Sequence, residues 1–287
     1  MAPAVYTAPM QATNAPTRER AHMALAPDFG GMELLTADYW AHSFAPHVHD
    51  TFVVALIERG AERFRCGGAE WVAPAGSLVL INPGEVHSGE RGCAEGWSYR
   101  AFYPAPDMLA ALRAEIGGES PAVPGFAQAL VTDPALFALL RKLHARLHDA
   151  TDPLLREDLW ATAFGALLRR HGQVRTGSSP QGDASAAVAK AQALLRERCA
   201  EALSLRDLAD AVGLSPWHLN RAFRQKIGLP PHAWRNQWRL AQAKQRLRAG
   251  LAPAVVAAEF GFTDQAHFSR HFKRAFGVSP GRYPAAR

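Results

Sequence analysis

The chain has 287 residues, 48% hydrophobic and 20% charged, which suits two modest folded domains and excludes a low-complexity or fibrous protein. Its net charge of +6 is unevenly spread: from Ala186 onward 17 Lys and Arg face 6 Asp and Glu, whereas the preceding residues hold 15 and 20. That asymmetry points to a polyanionic partner for the basic part, while three cysteines without CxxC spacing exclude a disulfide framework and a zinc knuckle.

Residues 1–24 are rich in Ala, Pro and Thr and read as a disordered leader without a signal-peptide core. No run reaches the roughly 18 apolar residues of a membrane span, so a cytoplasmic location is expected. Over 25–105 the pattern alternates, with strands expected at Thr51–Glu58, Glu62–Cys66, Ser77–Ile81 and Trp97–Tyr103. Turn signals at Arg59-Gly60, Gly67-Gly68, Pro74-Ala75-Gly76 and Asn82-Pro83-Gly84 separate them, and such spacing predicts a small antiparallel barrel or sandwich. His47 and His49 stand two apart, on one face of a strand, and His87 ends the turn after Ser77–Ile81. Three converging imidazoles suit a divalent metal, hydrogen bonds to a small ligand, or a purely structural role. Trp71, Glu85, Trp97 and Tyr99 are further candidates for a pocket wall.

From 106 to 171 the period becomes helical, with Leu136, Leu139, Leu140, Leu143 and Leu147 on one stripe. Asp133-Pro134 and Asp152-Pro153 read as helix starts, Asp as the cap and Pro in the first turn. This region is expected to pack on the barrel or to form a dimer interface. A polar Gly/Ser/Pro linker, 172–185, leads to an all-helical module, 186–287.

Within the module, SLRDLADAVGLSPWHLNRAFRQKIG predicts two helices around a tight turn, residues 204–228. Ser204 and Asp207 form a capping box, Gly213 supplies the positive φ of the corner, and Ser215-Pro216 starts the second helix. Wound as a helix, Leu219, Phe223 and Ile227 make a core stripe. Opposite it lie Trp217, Arg221, Arg224 and Gln225, flanked by Asn220 and His218. Arg and Asn are the side chains that read guanine and adenine edges in a major groove. The unit repeats over 253–277: Gly213 recurs 48 residues later as Gly261, and Leu219, Arg221, Phe223 and Gly228 recur 49 residues later as Phe268, Arg270, Phe272 and Gly277. Here the outward stripe holds Ala266, His267, Arg270, Lys273 and Arg274, with Gln265 near the helix start. The stretch 231–249 between the copies reads as one helix of roughly 28 Å, comparable to the roughly 34 Å between successive major grooves.

The module, from Ala186 to Tyr283, resembles the DNA-binding domain of AraC/XylS-type regulators. The resemblance rests on Leu208-Ala209, Gly213, Ser215, Leu219, Arg221, Phe223, Gly228 and Pro231, on Arg239, Ala243 and Leu247, and on Gly261-Phe262, Phe268, Arg270, Phe272-Lys273, Gly277, Ser279-Pro280 and Tyr283. Pro284 departs from it, where the family has Arg. The resemblance implies base contacts from Trp217, Asn220, Arg221, Gln265, His267 and Arg270, with Arg224, Lys273 and Arg274 assigned to phosphates. His47-x-His49, Gly60, Gly76, Pro83-Gly84 and His87 likewise resemble the cupin fold and the effector-binding domain of such regulators. Metal-binding cupins add a Glu about four residues after the second His, where this chain has Val53-Val54.

The fold expected is therefore mixed: a cupin-like antiparallel β-barrel with flanking helices, then an all-α tandem helix-turn-helix. The implied function is transcription regulation without catalysis or a cofactor. Its expected partners are double-stranded DNA, RNA polymerase, a second copy of the chain, and a small effector held by His47, His49, His87 and Tyr99. The alternative is a metal-dependent cupin enzyme carrying a helical DNA-binding tail, with His47, His49 and His87 as its ligands.

Overall fold

The computed structural model describes residues 19–116, 124–148, 152–174, 183–201 and 203–285. Its strands are β1 (Arg20–Ala26), β2 (Met32–Tyr39), β3 (Phe44–His47), β4 (Val53–Cys66), β5 (Ala69–Pro74), β6 (Leu78–Ile81), β7 (His87–Arg91), β8 (Trp97–Tyr103), β9 (Pro124–Phe126), β10 (Leu130–Val131) and β11 (Gly172–Val174). The helices are α1 (Pro106–Glu115), α2 (Pro134–His148), α3 (Pro153–His171), α4 (Asp183–Glu197), α5 (Leu205–Ala211), α6 (Pro216–Ile227), α7 (Pro231–Arg248), α8 (Pro253–Glu259) and α9 (Gln265–Phe276).

Among the described residues nine strands form one antiparallel sheet in the order β1-β2-β8-β4-β6-β10, and the long β4 extends it into a second layer by also pairing with β5 and β7, with β7 pairing β3. β4 runs unbroken through Arg59-Gly60, where the sequence signalled a turn. A one-residue bulge between Ile57 and Arg59 bends it there, and Gly60 takes φ 67°. A Cβ on Gly60 would collide with the carbonyl of Gly96, so only glycine permits the crossing. The bulge also flips the side-chain phase: Val53, Ala55 and Ile57 face the barrel interior before it, Phe64 and Cys66 after it.

Two sequence expectations shift. β1 occupies residues 20–24 of the expected leader, its Met23 and Ala26 buried through pairing with β2, while residues 1–18 lie outside the described residues. The linker likewise shortens at both ends, since β11 pairs with β9 and α4 begins at Asp183, and residues 175–182 between them lie outside the described residues. The helix starts hold: Asp152 accepts from the Leu154 amide and Asp133 from the Leu136 amide, each at 3.0 Å.

Three cores result. The outer face of the sheet (Leu34, Val54, Leu56, Leu80, Phe102) is covered by α1, α2 and α3. The first helix-turn-helix, α5 and α6, has its own core with α4 around Leu208, Leu219 and Phe223. The third core is shared: the barrel interior continues into Leu240, Ala243 and Leu247 of α7 and Phe268, Phe272 and Phe276 of α9. α7 and α9 thus close the barrel mouth. Glu33 of β2 pins this closure, pairing with Lys244 at 2.8 Å and accepting from the Tyr283 hydroxyl, while Arg248 donates to the Gly31 carbonyl.

Candidate effector cavity and nucleic-acid interface

Strand register places His47 opposite His87, so the β3–β7 pair sets two of the three histidines side by side, their ring centres 4.3 Å apart. His49 lies in the loop after β3 and not on the strand, yet it folds back until its Nε2 is 3.2 Å from the Nε2 of His47. The ligating atoms of all three lie within 4.8 Å of one another. His47 Nδ1 is 2.8 Å from the Ala45 carbonyl and His87 Nδ1 is 2.9 Å from the Glu85 carbonyl. A carbonyl only accepts, so each Nδ1 carries the proton and each Nε2 presents a lone pair to the cavity. Burial disfavours charge on all three: His47 is pushed down to about 3, His49 well below the usual imidazole range, and His87 below it. All three are neutral at pH 7.

The rest of the wall is apolar and aromatic, with Phe44, Phe64, Ile81, Tyr99 and Tyr103, and one acid, Glu62. The Glu62 carboxyl lies over Gly89, whose absent Cβ leaves it room, and burial pushes its pKa up to about 8. Sequence reading singled out Tyr99, which lines the cavity, but missed Glu62 and Tyr103. Trp97 packs instead against Tyr39 at 5.4 Å, Trp71 stacks on Phe64 at 6.5 Å, and Glu85 accepts from the Asn82 amide at 3.0 Å. A signal for Glu62 existed: it shares strand phase with Phe64 and Cys66, a carboxyl on an apolar face. The expected strand Glu62–Cys66 already carried that phase; what no local pattern announces is that this face lines a cavity.

The cavity roof belongs to the other domain. Ala275 of α9 lines it, and the Phe276 ring stands 6.2 Å from that of His49. On the opposite side of α9, Gln265, Ala266, Arg270, Lys273 and Arg274 are exposed. His267 is half-buried, its ring edge-on to His271 at 4.6 Å and to Phe262 at 5.7 Å. In the first unit the capping box on Ser204 and Asp207 is formed, and Gly213 and Gly261 make their corners at φ 72° and 66°. Leu219 and Phe223 are buried, whereas Trp217 is 62% exposed, with the Arg221 guanidinium 5.4 Å above its ring. Exposed Arg224 and half-buried Asn220 flank that face and line a cleft against Pro230 and Arg235.

Two family models match the chain: an AraC-like ligand-binding domain over residues 29–164 and a helix-turn-helix domain over 208–286. A helix-turn-helix transcriptional regulator of Bacillus subtilis, YbfI, is 32% identical over 224 residues, 78% of this chain and 81% of that protein. The chain belongs to the AraC family of transcription regulators.

Two other relatives of this AraC-family regulator span both domains. The arabinose operon regulatory protein of Salmonella typhimurium is 28% identical over 256 residues, 82% of this chain and 83% of that one. The transcriptional activator RhaS of Escherichia fergusonii is 28% identical over 250 residues, 83% and 86%. The fold is that of ToxT from Vibrio cholerae: its structure with a bound unsaturated fatty acid covers 94% of this chain and 96% of its own, with a TM-score of 0.53 at 13% identity. The barrel with α1, α2 and α3 is thus the effector-binding part and α5 to α9 the DNA-binding part. No helix among the described residues is long and apolar enough to cross a membrane.

Proposed function

We propose that this AraC-family regulator grips double-stranded DNA with α6 and α9 in successive major grooves, and that an effector in the barrel cavity sets how α9 is presented. Trp217, Asn220 and Arg221 read bases from α6; Gln265, His267 and Arg270 read them from α9; and Arg224, Lys273 and Arg274 hold phosphates. His267 must turn its ring away from Phe262 and His271 to do so. His47, His49, His87 and Tyr99 hold the effector, and the α1–α3 region, residues 106–171, supplies a homodimer face. The regulator works in the cytoplasm, without catalysis, by contact with RNA polymerase.

One observation carries this reading: α9 has a cationic outer face and an inner face that roofs the cavity. A ligand there touches the second recognition helix directly, which supplies the differential contact with two states that effector control requires. The test is to screen metabolites for thermal stabilisation of the full-length protein and measure each hit's effect on operator affinity. A true effector changes operator Kd by about 5-fold or more. Stabilising ligands that leave operator Kd unchanged contradict the control, and equal affinity for operator and random DNA contradicts the base readout.

A further inference from the structure

Three imidazoles gather at one end of the cavity, whose wall also carries the hydroxyls of Tyr99 and Tyr103. His47 and His87 are each oriented by a backbone carbonyl on Nδ1, and both direct Nε2 inward beside His49. Hydrogen bonding of the outer nitrogen is the arrangement that holds imidazoles for a metal. Glu62 lines the same cavity, its carboxyl lying over Gly89, and among the described residues no salt bridge or hydrogen bond engages it. In a tetrahedral site with metal–nitrogen bonds of about 2.0–2.1 Å, neighbouring nitrogens stand about 3.4 Å apart. The His47 and His49 Nε2 atoms are already 3.2 Å apart. Ring rotations close the remaining edges, none of which exceeds 4.8 Å.

We propose that His47, His49 and His87 form a three-imidazole site for a divalent transition metal of the zinc class, with its fourth position open to the cavity beside Glu62. The Val53-Val54 pair removes the acid that a fourth protein ligand would have contributed from β4. The open position therefore takes an oxygen donor, from water or from the carboxylate or hydroxyl of a small effector. This last step deepens the reading of the barrel as the effector site; the metal site itself stands without it. Soft thiolate donors are excluded from the set, since Cys66 sits apart with its sulfur 3.6 Å from Glu85 and its thiol pushed up to about 12 by burial. Neutral imidazoles in this number suit zinc, nickel, copper or iron over magnesium or calcium.

The experiment uses untagged full-length protein stripped with a chelator and titrated with Co²⁺, whose visible d–d absorption reports tetrahedral coordination. One equivalent should bind, Zn²⁺ should displace it, and His49→Gln and His87→Gln should each weaken binding by about 100-fold or more. His22→Gln, outside the cavity, should leave it unchanged. Should a variant not fold, X-ray absorption of the wild-type zinc complex counts the ligands directly: three imidazole nitrogens at about 2.0–2.1 Å are expected. Binding that survives His49→Gln in folded protein, fewer than three imidazoles, or no stoichiometric uptake overturns the site. Operator affinity is measured separately with and without metal. A three-imidazole complex whose operator Kd responds to no metabolite upholds the metal site and counts against the effector reading alone.

Discussion

Replacing Lys244 by Met removes the cation from the joint between barrel and DNA-binding domain. Glu33 and Lys244 are 6% and 9% exposed, and their charged atoms are 2.8 Å apart, so the pair is shielded from water and salt. Breaking a buried pair by deleting one partner costs about 3–5 kcal/mol, against about 0–1 kcal/mol for an exposed one. Glu33 keeps the Tyr283 hydroxyl and a guanidinium nitrogen of Arg248 at 3.9 Å, which places Lys244→Met at the lower end, about 3 kcal/mol. Removing both charges, as Glu33→Gln with Lys244→Met, keeps an acceptor for the Tyr283 hydroxyl and should return to within about 1 kcal/mol of wild type. Guanidinium denaturation of the four proteins, compared at equal slope, reads the cycle. A cost below about 1 kcal/mol for Lys244→Met, as for a surface pair, or a double variant no more stable than the single one, would refute the buried pair.

Gly277 takes φ 74° and a Cβ there would collide with the Tyr39 hydroxyl, whereas Gly250 at φ 83° faces open space. Gly277→Ala should therefore cost about 1–3 kcal/mol more than Gly250→Ala, and equal midpoints would show that α9 does not seat tightly on the barrel. His144 is fully buried and its pKa is lowered to about 3 by burial, then by His148 and Arg100. The folded state thus resists a proton that the unfolded chain accepts below about pH 6.5, so this contribution is complete above that pH and is lost as pH falls toward 3. His144→Leu should flatten the acid limb of the stability–pH curve by up to about 1.4 kcal/mol per pH unit there, and an unchanged limb would refute the assignment. Arg221→Ala should cost about 1–3 kcal/mol on operator DNA and relax preference at one base pair, seen by binding to a randomised site; equal losses on operator and random DNA would make Arg221 a phosphate contact.

The helix-turn-helix units were legible because their signals are local. The Ser204–Asp207 capping box, the Gly213 corner and the Leu219–Phe223 stripe each lie within one helical turn or two, and α5 and α6 form where those signals put them. The barrel was legible as a class through β6 and β8, but not in its path. Arg59-Gly60 carries the composition of a turn and serves as a bulge, because Gly96 approaches from a distant strand. The cavity roof could not be read locally at all: Phe272 and Phe276 announce a buried face, but only the tertiary fold shows that the barrel interior is what buries them.

Separate reading by α6 and α9 is the central proposal, with α7, whose 18 residues span about 27 Å, as the spacer between them. Hydroxyl-radical footprinting of the full-length protein on its operator tests this most directly. Two protected windows about one helical turn apart are expected, with Arg221→Ala weakening one and Arg270→Ala the other. A single window, or two windows that fade together in both variants, would contradict it.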